Sequence, residues 1–162
     1  VAGGREGPAG AGARGPAQER GLEGGQAVLV RDHGTGAITG QALQGRAQDA
    51  DLWHVLLAPV KSLNADSVRD ANKGGTDHLS FIPYGVPGWN FDQISRGYNH
   101  THHSQVDTYE HAVGPDLMQA SAVMAVTAYE LANLPELLPR GAKMPVTPMV
   151  VAQPTAGLAK GK

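Results

Sequence analysis

Three histidines and an aspartate crowd the stretch "NHTHHSQVDTY", residues 99–109, which has no apolar periodicity for a helix or a strand. The chain has no cysteine, so a metal would have to be bound by His, Asp or Glu. Imidazole and carboxylate groups suit zinc when no thiolate is present. The same composition is equally typical of a solvated polar turn. The stretch therefore predicts a metal site only if other parts of the chain supply further ligands.

Two more polar clusters follow predicted strands. Asp32 and His33 come directly after the apolar run "QAVLV", and Asp77 and His78 stand in "TDHLSFIPYG". In open α/β sheets, ligands bind beyond the strand ends, so the three clusters can form one site. A structural interpretation exists for each cluster, because Asp32 suits a turn and Asp77 suits a helix N-cap. Taken singly, four histidines are interpreted as surface residues: His33, His54, His100 and His111.

Short β-prone runs bounded by turn residues predict the strands of a sheet. These runs cover residues 26–30, 37–45, 67–69 and 86–91, the third as an edge strand. Helical spacing of apolar residues predicts a helix over 52–63 that Pro59 interrupts or kinks. A short helix should be capped by Thr76 or Asp77, and the clearest helix should run from Pro115 to about Asn133, with its small residues packed closely on the sheet.

Strands that alternate with helices predict an α/β fold, a partial three-layer sandwich in which helices flank a mixed sheet. Residues 26–140 should form this domain. Residues 1–25 contain nine glycines and two prolines with few aliphatic residues, which predicts a disordered tail. Residues 141–162 should be a loosely held C-terminal tail.

Charge and hydropathy exclude several partners. The net charge is −2 with acids and bases interspersed, so the sequence predicts neither a nucleic-acid surface nor a cationic membrane-binding face. No apolar run approaches the roughly 20 residues of a spanning helix, and none has the character of a signal peptide.

Longer strings carry a family resemblance: "RDHGTGAITGQALQG", "GGTDHLSFIPYGVPGWNFDQ" and "YNHTHHSQVDTYEHAVGPDLMQASAVMAVTAYELANLPELLPR". Together they resemble the C-terminal half of the catalytic domain of dinuclear zinc exopeptidases, which include bacterial aminopeptidases and plasma glutamate carboxypeptidases. The likeness runs in unbroken order from about Val28 to Arg140. It implies a peptide substrate, a cofactor of two zinc ions, and secretion or export to the periplasm. It leaves open both the choice of amino or carboxyl terminus and homodimer formation.

The resemblance also implies roles for single residues. Asp32 matches the aspartate that binds one zinc, and His103 matches the histidine that binds the other, in sites where the metals lie about 3.5 to 4 Å apart. Asp77 and His78 match a motif that lines the substrate site. Asp107 matches the carboxylate that follows the ligand histidine, in a supporting role. His102 occupies the position at which some relatives have a tyrosine that stabilises the oxyanion, which implies a catalytic donor.

The sequence departs from the family in one respect. Relatives supply a further histidine, a bridging aspartate, a zinc-binding glutamate and a general-base glutamate from a segment upstream of the Asp32 strand. Residues 1–25 contain neither His-x-Asp nor Glu-Glu. The hypothesis is therefore a truncated peptidase that is inactive alone and that, with sheet faces and edges uncovered, is marginally stable or aggregating.

Two alternatives stay open. One is a non-catalytic protein-interaction module derived from the peptidase fold. The other is acyl transfer as in the distantly related glutaminyl cyclases, which is less favoured because the chain has only eight aromatic residues. Remnants of His-x-Asp and Glu-Glu in the upstream coding DNA would favour the enzyme over the interaction module.

Overall fold

The computed structural model describes residues 22 and 24–142. Most of the two predicted tails, 1–25 and 141–162, lies outside these residues, so both stay predictions. The described strands are β1 Val28–Val30, β2 Ile38–Ala42, β3 Ser67–Arg69 and β4 Gly88–Gln93. The α-helices are α1 Ala50–Leu57, α2 Tyr98–Thr101 and α3 Gly114–Ala132. Short 3-10 helices lie at Ala47–Asp49, Ala58–Leu63, Asp77–Ser80, Ile82–Tyr84 and Tyr109–His111.

The four strands form one mixed sheet in the order β1-β4-β2-β3. β1 pairs with β4 in parallel, β4 with β2 antiparallel, and β2 with β3 in parallel. The predicted α/β class with a mixed sheet and helices is confirmed. Residues 67–69 do form an edge strand, as predicted. β4 is an inner strand and almost wholly buried, although it contains the polar residues Asn90 and Asp92.

Three aromatic side chains occupy the middle of the core. Trp53 of α1 is fully buried and meets the rings of Trp89 and Phe91 on β4 edge-on, at centroid distances of 5.1 and 6.1 Å. This geometry suits the ring quadrupoles and adds to the burial of their area. The predicted interruption at Pro59 is confirmed, because α1 ends at Leu57 and the chain continues as the 3-10 helix Ala58–Leu63.

Helix α3 begins with Pro115 in its first turn, as predicted, and packs against α1 and β2. Its buried face consists of Ala120, Val123, Thr127 and Leu131. The expected packing of its small residues is only partly correct, since Ala128 and Ala132 are exposed. The buried positions recur every three to four residues and so share one face of the helix, and both alanines lie outside that face. In the part of the chain that the structure describes, none of the helices combines the length and the apolar character of a membrane span.

A buried carboxylate on the inner strand β4 connects it to the edge strand β3. Asp92 on β4 is 3 % exposed and accepts hydrogen bonds from Arg69 of β3, at 2.8 Å from Nε and 2.6 Å from Nη2. The ammonium group of Lys73 lies 2.8 Å from the same carboxylate. Because β2 lies between β3 and β4, this cluster bridges across a strand.

Candidate functional site

A cleft of about 320 Å³ lies beside the end of β1 and the segment that follows β4. Four of the predicted site residues line it: Asp32, His102, His103 and Asp107. All four side chains are exposed, so a ligand can reach them. The fold thus brings residues separated by some seventy positions to one concave surface, while the individual roles assigned to them stay predictions.

The loop that carries Asp32 is held by a side chain from β4. Gln93 accepts a hydrogen bond from the backbone N–H of His33 at 3.0 Å and donates to the carbonyl groups of Gly34 and Gly36 at 3.2 and 3.1 Å. One amide side chain therefore satisfies three backbone groups of the loop. Gly36 packs so closely that a Cβ atom there would lie 1.8 Å from the carbonyl oxygen of Ile94, so only glycine fits.

A row of four rings joins the two loops of the cleft. His33 meets Tyr98 edge-on at 5.5 Å, Tyr98 lies 4.8 Å from His102, and His102 lies 4.0 Å from His103. His103 adopts a left-handed backbone conformation with φ of 53°. Non-glycine residues rarely adopt this conformation, and it is concentrated at functional sites. The interpretation of His33 as a surface residue is only partly correct, because the residue is half-buried in this row, whereas His54, His100 and His111 are exposed.

Burial lowers the pKa of the His33 imidazole, and the nearby charges of Lys73 and His102 act in the same direction. The Asp32 carboxylate and a hydrogen bond with the Gly74 backbone oppose this shift. The neutral ring is therefore favoured at physiological pH.

Asp77 and His78 do not line the cleft. Asp77 is exposed, whereas His78 is fully buried with Nδ1 2.5 Å from Oγ1 of Thr76. Oγ1 of Thr76 also accepts a hydrogen bond from Asn90 of β4 at 3.2 Å. Thr76, one of the two residues predicted for the N-cap of this helix, holds that position, but its side chain makes no capping hydrogen bond. His78 is thus placed as part of the polar packing between the Asp77–Ser80 helix and β4.

The burial of His78 also lowers its pKa, and the charge of His33 adds to that effect. The Lys73 backbone carbonyl and the Asp77 carboxylate oppose it. The Nε2 atom of His78 is buried and makes no well-formed hydrogen bond within the described part of the chain. A neutral imidazole is the form that this surrounding favours.

The chemistry of the cleft suits zinc, but the number of ligands does not. Asp32 and His103 provide a carboxylate and an imidazole, which zinc accepts. Across residues 22 and 24–142, no three His, Asp or Glu side chains converge as a metal-binding group. Catalytic zinc has typically about three protein ligands per ion. These residues therefore do not form a complete zinc site.

The cleft also contains residues that the sequence interpretation did not assign to a site. Arg31, Arg96, Tyr98 and His111 line it together with the predicted residues. His111 is brought in by the 3-10 helix Tyr109–His111, and its carbonyl oxygen accepts a hydrogen bond from Thr35 at 3.2 Å. Arg31 was identifiable only as the neighbour of Asp32. No local pattern signals Arg96 or Tyr98.

Comparison with known protein families matches residues 24–128 to peptidase family M28, which is more than half of the chain. The chain therefore belongs to peptidase family M28. Among individual proteins it is similar to Carboxypeptidase Q of Rattus norvegicus, with 36 % identity over 115 residues. It is also similar to Carboxypeptidase Q of Mus musculus and of Homo sapiens, with 33 % and 31 % identity over 113 residues.

Each of these alignments covers 70 % of this chain and 24 % of the relative. The chain thus spans about a quarter of the length of the curated relatives that it matches. No solved structure matches the chain. The resemblance to zinc peptidases is confirmed at the level of the family, and the activity of the whole protein is a matter for proposal.

Proposed function

We propose that the cleft is one wall of the active site of a zinc-dependent exopeptidase, in which Asp32 and His103 each bind one of two zinc ions. The observation that supports this most is the presence of both side chains in one cleft, although they come from separate loops. Two bound zinc ions would polarise the scissile carbonyl group and activate a water molecule between them. The remaining ligands and the general base lie outside the residues that the structure describes.

The other cleft residues have supporting roles in this proposal. His102 stacks on His103 and presents an exposed imidazole that can donate a hydrogen bond to a developing oxyanion. Asp107 belongs to the same loop and can orient the His103 ring through a hydrogen bond. The left-handed backbone at His103 and the ring row from His33 hold the imidazole orientation before any ligand binds.

In this proposal Asp77 and His78 do not contact the substrate, and their segment supports the cleft from outside it. His78 lies under β4 and contacts Thr76, which in turn is bonded to Asn90. Asn90 also approaches Nδ1 of His33 at 3.4 Å. This series of contacts connects the segment 76–78 to the Asp32 loop, which a substrate would touch.

The 162-residue chain by itself should bind zinc weakly and hydrolyse no peptide, because each zinc would find too few ligands. Isothermal titration with zinc, with and without the substitutions Asp32→Ala and His103→Ala, tests the assignment. Either substitution should weaken binding at least about tenfold, since even the outer partners of metal ligands contribute that much. His54→Ala removes an exposed histidine of α1 and is the matched control.

Zinc binding that neither substitution weakens would contradict the site. Tight binding by the unaltered chain, with peptide hydrolysis that chelators abolish, would instead show that the chain alone is a complete enzyme. We also propose from the family that the substrate is a peptide and that the protein is exported. If a longer form of the protein also fails to bind zinc, the non-catalytic interaction module becomes the better explanation.

A further inference from the structure

Four polar side chains form a hydrogen-bonded row between the cleft and the interior. Nδ2 of Asn90 lies 3.4 Å from Nδ1 of His33 and 3.2 Å from Oγ1 of Thr76. Oγ1 of Thr76 in turn lies 2.5 Å from Nδ1 of His78. Asn90 and His78 are fully buried, whereas His33 is half-buried and directly follows Asp32. The row therefore connects the loop that carries Asp32 with β4 and with the segment that carries His78.

The donors and acceptors of this row determine where the ring protons lie. The Nδ2 group of Asn90 can only donate, so Nδ1 of His33 and Oγ1 of Thr76 both accept from it. The Thr76 hydroxyl group then donates its own proton to Nδ1 of His78. Because Nδ1 accepts a hydrogen bond in both rings, a neutral ring carries its proton on Nε2. The row thus selects the Nε2–H tautomer of His33 and of His78.

The backbone of Gly74 supplies the acceptor for the ring proton of His33. This hydrogen bond acts to raise the pKa of the ring, as a carbonyl oxygen that accepts from an imidazole N–H does. Since Nδ1 of His33 faces the donor group of Asn90, Nε2 is the nitrogen that is left for Gly74. Gly75, the next residue, lines the cleft. The Nε2–H tautomer therefore connects the Asp32 loop with a wall of the cleft.

Lys73 fixes this wall to the sheet. Its ammonium group lies 2.8 Å from the Asp92 carboxylate, which is buried on β4. Asn90, the donor to His33, lies two positions earlier on the same strand. The loop and residues 73–75 are therefore both held from β4, and the His33 ring joins them directly.

The orientation of the Asn90 amide group depends on Thr76. The Oδ1 atom of Asn90 is buried and has no hydrogen-bond partner among the described residues, so the contacts of Nδ2 orient the amide. A turned amide would present Oδ1 to Nδ1 of His33 and would favour a proton there. The Thr76 hydroxyl group can donate to His78 or to a turned amide, but not to both. Its bond to His78 therefore opposes the turned state.

We propose that Thr76 and Asn90 are positioning residues of the cleft, which fix His33 as its Nε2–H tautomer and so hold the loop that carries Asp32 against residues 73–75. The inference rests on the proposed function for the role of Asp32 as a zinc ligand. Neither positioning residue lines the cleft. Both act through His33, because a loop that is held in place beforehand loses less conformational freedom when a ligand binds.

The nitrogen-15 shifts of the imidazole rings report the tautomer in the isotope-labelled 162-residue chain. The buffer is metal-free and at about pH 8, where a histidine of ordinary pKa is neutral. Wild type should carry the ring proton of His33 on Nε2. Thr76→Val removes the hydroxyl group at similar volume and should raise the Nδ1–H fraction of His33 at least about fivefold, the change expected for one lost hydrogen bond. The amide shifts of residues 32–36 should change with it.

Three further variants make the test specific. Thr76→Ser retains a hydroxyl group and should keep the wild-type tautomer. Thr127→Val makes the same exchange at another buried threonine, whose hydroxyl group donates to a carbonyl within α3, and should leave the His33 ring unchanged. Asn90→Asp replaces the donor group by an acceptor and should place a proton on Nδ1 of His33.

A proton on Nδ1 of His33 in wild type would overturn the inference, and so would equal tautomer populations in Thr76→Val and Thr127→Val. A changed tautomer with unchanged amide shifts at residues 32–36 would overturn it too, because the row would then not hold the loop. If Asn90→Asp does not fold, the two Thr76 variants still decide. The measurement needs neither zinc nor turnover, so its result is separate from the zinc test of the proposed function.

Discussion

Replacing Asp92 by asparagine should remove the anion that fixes Arg69 and Lys73 to the central strand β4. Asparagine keeps the volume and one acceptor oxygen, but it turns an amide group towards two cations. A hydrogen bond to a charged group contributes roughly 1.5–3 kcal/mol. The Arg69 and Lys73 side chains are 54 % and 24 % exposed, so water can partly replace the lost carboxylate. We therefore expect a loss of about 2 kcal/mol in the free energy of unfolding at pH 7.

The effect of the substitution should depend on pH. Burial by itself would raise the pKa of Asp92, but hydrogen bonds and charges from Arg69 and Lys73 outweigh it and hold the pKa below its ordinary value. A carboxyl group with a lowered folded-state pKa stabilises the fold above its unfolded-state pKa of about 3.9, and that contribution is lost as the pH falls through the folded-state pKa. The stability difference between wild type and Asp92→Asn should therefore shrink on acidification below about pH 4.

Urea denaturation followed by tryptophan fluorescence measures this difference, since both tryptophans of the chain, Trp53 and Trp89, are fully buried. Asp66→Asn removes the carboxylate of an exposed ion pair with Lys61 and is the matched control, with a much smaller expected effect. Equal stability of Asp92→Asn and wild type at pH 7 would refute the reasoning. It would mean that the attraction of the two cations only offsets the desolvation of the carboxylate.

Two further predictions concern the loop and the core. Gln93→Ala should speed hydrogen exchange at the His33 amide at least about tenfold, while the free energy of unfolding falls by only about 1 kcal/mol because water reaches the loop. Gln44→Ala removes hydrogen bonds to the backbone of Lys73 and should leave exchange at the His33 amide unchanged. Unaltered exchange in Gln93→Ala would show that Gln93 does not hold the loop. Trp53→Ala should cost about 3–5 kcal/mol in urea denaturation by leaving a cavity. Trp53→Phe should lower the free energy of unfolding clearly less, because phenylalanine fills part of that space and removes a buried Nε1–H without a described hydrogen-bond partner. Equal losses of stability in the two variants would show that the shape of the indole, and not the buried volume, determines stability at this position.

The sequence by itself predicted most of the secondary structure. Runs such as "QAVLV" and the stripe of apolar residues after Pro115 depend on neighbours within one or two turns, so local spacing is enough to identify them. The interruption at Pro59 follows from the missing N–H of proline. The resemblance to zinc exopeptidases, confirmed at the level of peptidase family M28, also rests on local motifs such as "HHSQVDT".

Only the tertiary structure decided which polar residues share a surface. Asp77 and His78 are adjacent in a motif, yet they lie outside the cleft, because the Asp77–Ser80 helix turns the His78 ring towards β4. The order β1-β4-β2-β3 places the end of β1 beside the segment after β4, which unites Arg31 and Asp32 with His103. Strand order depends on contacts between residues far apart in the chain, and the spacing of residues within one segment does not contain that information.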